Sequence, residues 1–177
     1  LTERFEGKRF NSPNDIAARS NGQIFFTDPC YDDRTTMELD HDSVYRIDTN
    51  GSVHRILTQP EIQRPNGIHL SPDEQTLYIV VSNGPLGGTG AEVVALDRAA
   101  DGIWGSEARV VASHDEQLGG ITTDSCGNVY VVATGSGWVV RLVITTGELT
   151  TIATLPSGGL LSQYTSLRFG SGIGAWL

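Results

Sequence analysis

The sequence predicts an all-β chain, and three observations carry that prediction. Short runs rich in Val, Ile, Tyr and Phe recur with period-2 alternation along its 177 residues. Asn-Gly, Ser-Pro-Asp and Gly-rich clusters separate them, as tight turns require. No segment longer than about ten residues keeps the 3.6-residue period of an amphipathic helix. The 21 glycines exceed the ordinary share of ~7% and point to many such turns.

In chain order the periodic runs are Ile24 to Phe26, Val44 to Ile47, Val53 to Leu57, Leu77 to Val81, Val93 to Leu96, Val129 to Val132 and Val139 to Ile144. Each favours a pleated surface because its side chains are β-branched or aromatic. Asn21-Gly22, Asn50-Gly51 and Cys126-Gly127-Asn128 read as hairpin tips, where Gly and Asn accept positive φ cheaply.

The strands also repeat. Asp15 to Asp28 aligns with Gly67 to Val81 and with Gly120 to Ala133, anchored on Ile16, Ile68 and Ile121 at spacings of 52 and 53. A unit of this length holding four short strands is the signature of a β-propeller blade. At that period 177 residues supply about three to three and a half blades, whereas closed propellers need at least about four. A fourth unit starts near Thr165 and stops at Trp176-Leu177. The expectation is one partial propeller domain over residues 1–177, an arc truncated at both ends, with end faces that need a cover.

Acidic residues outnumber basic ones by 21 to 12, a formal charge of −9, which argues against nucleic-acid and membrane-surface partners. No apolar run approaches the roughly 18 residues of a membrane span. Neither a basic nor an apolar leader region is visible after Leu1. Cys30 and Cys126 lie in no metal or redox pattern and read as buried or half-buried thiols.

Asn14-Asp15, Asn66-Gly67 and Gly119-Gly120 stand just ahead of the anchoring isoleucines. Equivalent positions of successive blades converge on the propeller axis, so Asn14 and Asn66 are expected to face one tunnel. Two carboxamide oxygens suit a hard cation such as Ca²⁺, which accepts neutral oxygen ligands. Either Asn alone suits a turn cap equally well.

Phe5-Glu-Gly-Lys-Arg-Phe-Asn-Ser-Pro-Asn-Asp-Ile, followed by Asn21-Gly-Gln-Ile-Phe-Phe-Thr-Asp-Pro, resembles a hallmark of the gluconolactonase family, which includes regucalcin and luciferin-regenerating enzyme. Arg64-Pro-Asn-Gly-Ile-His-Leu-Ser-Pro-Asp resembles the next hallmark. The similarity is dense from Phe5 to Tyr78 and thins beyond. It implies a six-bladed propeller with an axial Ca²⁺ or Zn²⁺ held by a Glu, two Asn and a catalytic Asp, hydrolysing a small lactone or related ester. The two Asn fall on Asn14 and Asn66, the Glu would lie upstream of Leu1, and Gly119 stands where the Asp is expected.

The resemblance thus implies a metal-dependent hydrolase that is impaired in this chain, because neutral amides supply neither charge nor a proton acceptor. A non-catalytic binding propeller and an inactive fragment are the alternatives. Asp115 and Glu116 offer a substitute acid from the loop before Gly119, although a solvated acidic loop is the plainer role. Asp28 reads as either tunnel-lining or a strand-end turn, and the insertion from Tyr31 to Asp42 as either an overhanging or a solvated loop. His54, His69 and His114 read as structural. Gly84-Pro-Leu-Gly-Gly-Thr-Gly lacks the Lys-Ser/Thr of a phosphate loop, and Gly170-Ser-Gly-Ile-Gly opens no helix.

Overall fold

The computed structural model describes residues 2–82, 90–156 and 165–169. The glycine run from Gly170, the stretch 84–89 and the end of the fourth unit at Trp176-Leu177 lie outside the described residues. A hairpin of β1 (Arg4–Phe5) and β2 (Lys8–Arg9) leads into three four-stranded antiparallel meanders. The first contains β3 (Ile16–Ala18), β4 (Ile24–Asp28), β5 (Ser43–Ile47) and β6 (Val53–Thr58). The second contains β7 (Pro65–Leu70), β8 (Thr76–Ser82), β9 (Ala91–Asp97) and β10 (Arg109–His114). The third contains β11 (Leu118–Thr123), β12 (Val129–Ala133), β13 (Trp138–Val143) and β14 (Glu148–Thr154). These are three blades of a β-propeller arc, and the described helical content is one 3₁₀ turn, Arg34–Thr36.

All seven periodic runs are strands, and the expected tips are turns, with Gly22, Gly51 and Gly127 at positive φ. The hairpin β1–β2, the inner strands β3, β7 and β11, and β10 have no clean alternation in the sequence. Pro65-Asn66-Gly67 and Gly119-Gly120 are poor strand formers on their own, and neighbouring blades hold them extended.

Strand β8 shows how the core is divided. Leu77, Ile79 and Val81 pack with Phe25, Val44, Leu57 and Trp104, between the first and second blades. Tyr78 and Val80 point the other way and join Val129, Val131, Val140 and Leu142, between the second and third. A strand with a core on each face reads as a continuous apolar run, whereas an edge strand such as β14 is largely exposed. Burying side chains of this size contributes roughly 1.5–3 kcal/mol each.

The outward face of the first blade is covered by the lead segment. Phe5 and Phe10 pack against Phe26 and Tyr45 with ring centroids 5.0–5.1 Å apart, and the Arg55 guanidinium lies 5.1 Å from the Phe5 ring centre.

The inner strands meet closely. A Cβ on Gly67 would lie 2.5 Å from the Gly119 carbonyl oxygen, and one on Gly120 would lie 2.6 Å from Ser166 Cα. Only glycine permits such a backbone approach. Asp15 holds the same place in the first blade and bridges with its side chain, accepting the Ile68 N–H at 3.0 Å and the Ile16 N–H at 2.8 Å. At the opposite turns, Glu74 accepts both the N–H and the hydroxyl of Ser20, at 2.8 and 2.7 Å, and ties the second blade to the first.

Candidate functional site

The site begins with an irregularity repeated in every blade. In the second blade the register passes from Pro65↔Val81 to Ile68↔Ile79, so Asn66 and Gly67 together face Val80. In the third it passes from Leu118↔Ala133 to Ile121↔Val131, so Gly119 and Gly120 face Val132. In the first, Asn14 donates its N–H to the Thr27 carbonyl at 2.9 Å while Thr27 donates to the Asp15 carbonyl at 3.1 Å, so Asn14 and Asp15 both face Thr27. Each is a β-bulge, a device that bends a strand and re-aims a side chain. Asn14, Asn66 and Gly119 are the first bulge residue in their blades.

Thr27 joins the first two bulges. Its buried hydroxyl accepts the Asp15 N–H at 3.1 Å and donates to the Asn66 carbonyl at 2.8 Å. The equivalent residues, Val80 and Val132, have no hydroxyl to do this. The structure therefore brings the Asn14 and Asn66 backbones to either side of one side chain. Asn14 is exposed and Asn66 is half-buried.

The insertion between β4 and β5 reaches the same place. Asp42, 1% exposed, accepts the Cys30 N–H at 2.9 Å, the Arg64 N–H at 3.2 Å and the Arg34 guanidinium, with both carboxylate oxygens at 3.1 Å. It pins both ends of the insertion and also Arg64, whose φ of +42° is a strained conformation for a side-chain-bearing residue. The Tyr31 hydroxyl consequently lies 3.3 and 3.2 Å from the Arg64 and Pro65 carbonyls, which accept its proton. Burial, with the Asp42 charge adding to it, pushes the phenol above its ordinary range, so Tyr31 is a hydrogen-bond group here and not a base.

Asp28 is a turn anchor and does not line a tunnel. It is fully buried and accepts the Asn11 and Ser12 N–H groups at 3.0 and 2.9 Å, which fixes the approach to Asn14. Burial pushes its carboxyl up to about 6 despite those two bonds.

Below the bulges, the inner strands enclose a cleft of about 510 Å³ lined by Asp15, Ile68, His69, Gly120, Ile121 and Arg168, among others. Asn14 and Gly119 directly precede the strand segments that line it, and Asn66 lies two residues before Ile68. His69 is half-buried in that wall, where burial lowers its pKa and favours the neutral ring. His54 pairs with Asp48 on the blade surface, and His114 accepts the Glu116 N–H. Cys30 is buried; Cys126 is exposed rather than half-buried, and both are free thiols.

Gly119 leaves this position without an acid. A Cβ there would lie 2.9 Å from the Thr134 methyl and 3.4 Å from the Thr165 carbonyl oxygen. Glu116 is turned to the neighbouring loop, with Oε2 accepting the Ser136 N–H at 2.9 Å, and Asp115 is exposed. Both oxygens of Asp15 are taken up by backbone amides. Among the described residues, no three His, Cys, Asp or Glu side chains are grouped so as to hold a metal ion.

Of these residues, Tyr31 and Asp42 carry no motif of their own, and Thr27 lies within the run Asn21 to Pro29 without a role assigned to it there. The one signal in the sequence is that Thr27 breaks a repeat whose other members are valine.

Comparison with known proteins agrees with this frame. The family profile described as the SMP-30/Gluconolactonase/LRE-like region matches residues 1–172. A gluconolactonase of Zymomonas mobilis is 37% identical over 109 residues, covering 59% of this chain and 26% of that protein. The structure of a gluconolactonase from Xanthomonas campestris superposes with a TM-score of 0.74 at 31% identity, covering 96% of this chain and 54% of that one. A calcium-binding regucalcin from Agrobacterium tumefaciens shares the fold, with a TM-score of 0.62 at 24% identity over 87% of this chain and 48% of that one. The chain spans about half the length of these solved relatives. On the match to nearly its whole length, the chain belongs to the SMP-30/gluconolactonase/LRE-like family.

Proposed function

We propose that this chain forms part of a gluconolactonase-type hydrolase acting on a sugar lactone or related ester, with a site weakened by the glycine at position 119. The repeated bulge carries the proposal: it sets Asn14 and Asn66 at equivalent points of adjacent inner strands, with Thr27 between them. Their amide oxygens fit two neutral places in the oxygen shell of Ca²⁺, or of Zn²⁺ with lower preference. A cation bound there supplies Lewis-acid polarisation of the lactone carbonyl and activation of a water.

The chain's own residues hold and orient. Thr27 holds the Asn66 backbone, Asp28 fixes the approach to Asn14, and Asp42 places the loop that lies against Asn66. No described carboxylate beside the two Asn is free to take a proton, and the Tyr31 phenol stays protonated at neutral pH. Binding is therefore weak and turnover slow. The glycine also favours a second reading, a propeller that binds a small ligand without hydrolysing it.

The test is a thermal melt with 5 mM CaCl₂ or ZnCl₂, followed by a lactone-hydrolysis assay with and without the cation. For a dissociation constant of about 1 mM, the weak end for oxygen-ligand sites, native-state binding adds roughly 1 kcal/mol. No shift overturns the metal reading. Gly119→Asp combined with Thr134→Ser restores the acid and removes the obstructing methyl, while Ser keeps the hydroxyl that bonds the Gln117 carbonyl. This pair is expected to raise both the cation-dependent shift and the hydrolysis rate. Absence of any gain removes position 119 from the site.

A further inference from the structure

We propose that Tyr31 and Asp42 are positioning residues for Asn66: from the two ends of the insertion they grip the peptide groups on either side of Arg64, hold that residue left-handed, and so fix the direction in which the chain enters the Asn66 bulge. The inference rests on the reading of Asn66 as an oxygen ligand. It names what sets the placement of that ligand.

Arg64 is held against two steric preferences. At a φ of +42° its Cβ crowds the following carbonyl, a clash that only glycine escapes. It also precedes Pro65, whose ring drives the residue before it towards extended backbone. A residue with both handicaps stays left-handed only where its surroundings over-determine it. Here Asp42 Oδ2 accepts the Arg64 N–H at 3.2 Å. The Tyr31 hydroxyl shares its proton between the Arg64 and Pro65 carbonyls, at 3.3 and 3.2 Å. Tyr31 opens the insertion and Asp42 closes it, with the Asp42 carboxylate itself locked by the Cys30 N–H and the Arg34 guanidinium.

Pro65 passes the constraint on to Asn66. Its ring fixes φ near about −65°, so it cannot absorb a change at Arg64 by turning itself. The Ser82 N–H holds the Gln63 carbonyl at 3.1 Å on one side, and Thr27 holds the Asn66 carbonyl at 2.8 Å on the other. The insertion grips the two residues between these anchors. The first blade carries a parallel arrangement at Ser12-Pro13-Asn14, where buried Asp28 accepts the Ser12 N–H at 2.9 Å. In both blades, a buried aspartate thus holds the residue ahead of the Pro-Asn pair, which is how a binding group is pre-organised.

The test compares Tyr31→Phe in the full chain with the same change made on Arg64→Gly. Glycine adopts positive φ at no steric cost, so residue 64 then keeps its conformation without the phenol. Cation affinity is read by calorimetric titration with CaCl₂ and ZnCl₂. In the arginine background Tyr31→Phe is expected to lower it about tenfold, the lower end for a group that orients a metal ligand. In the glycine background the loss is expected to stay under about twofold. Equal losses in the two backgrounds overturn the inference, because a merely structural Tyr31 acts alike in each.

A second arm needs no cation. Phenylalanine keeps the aromatic ring, so changes in the NMR amide shifts of Asn66, Gly67 and Ile68 report the backbone. These are expected to move on Tyr31→Phe in the arginine background and to keep their places in the glycine one. Movement in both, or none in the arginine background, overturns the inference. If the shifts behave as expected and neither cation binds, the positioning role stands and the metal reading of Asn66 fails.

Discussion

Thr27→Val isolates the link between the first two blades, because it changes one buried hydroxyl to a methyl at nearly constant volume. The substitution removes the 3.1 Å bond from the Asp15 N–H and the 2.8 Å bond to the Asn66 carbonyl. Both orphaned groups sit in bulges, where the regular ladder lapses, and Thr27 itself is fully buried. A buried polar group left without a partner costs about 1–3 kcal/mol. Asp15 and Asn66 are half-buried and regain part of this from water, so the expected loss is roughly 2–3 kcal/mol in total. For a chain of this size that lowers Tm by about 4–12 °C. Thr27→Ser keeps both bonds and loses only a methyl, at about 1 kcal/mol. Urea unfolding of the three proteins, followed by tryptophan fluorescence, gives the comparison. If the valine variant lies within about 0.5 kcal/mol of the parent, or the serine variant falls as far as the valine one, the hydroxyl bridge is not what joins the blades.

Asp28 makes stability depend on pH in an unusual direction. Its carboxyl titrates at about 6 in the folded chain and near 3.8 unfolded, so between these values the folded state binds the extra proton. Its contribution is fully present below pH 4 and is lost as pH rises through 6, a fall of about 3 kcal/mol at about 1.36 kcal/mol per pKa unit. Unfolding titrations of the parent and Asp28→Asn from pH 4 to 7 are expected to differ by that slope, the other carboxylates being common to both; parallel curves refute the shift. Asp42→Ala takes the acceptor from the Cys30 and Arg64 N–H groups and the carboxylate from the Arg34 guanidinium, which keeps the Cys30 carbonyl at 3.1 Å, and is expected to cost about 2–4 kcal/mol. Hydrogen exchange should rise across residues 31–42 in that variant, and a loss under about 1 kcal/mol would show that the insertion is held by other contacts.

How much of the site was legible in the sequence follows from how local each feature is. Strand periodicity and hairpin tips are properties of neighbouring residues, so Leu77 to Val81 and Asn50-Gly51 announce themselves. The blade repeat is legible because Ile16, Ile68 and Ile121 serve the same place in successive units, and the same alignment exposes Gly119 as the departure. The hairpin from Arg4 to Arg9 is not legible, since its two-residue strands have no period to show; they pair and then pack through Phe5 and Phe10 on an existing aromatic face.

The sequence alone determined the kind of element, its approximate length, the unit of repetition and the candidates Asn14 and Asn66. Tertiary structure decided which polar side chains are sealed from water and what they then bind. Asp28 and Asp42 look like their exposed neighbours Asp32 and Asp33, but burial forces each to find backbone or guanidinium partners. Thr27 reaches Asn66 across 39 positions and Asp15 reaches Ile68 across 53. A bulge has no residue code of its own: it exists because two blades must approach at a fixed spacing. That spacing is set by the packed cores between the sheets, through contacts that no local reading of the chain contains.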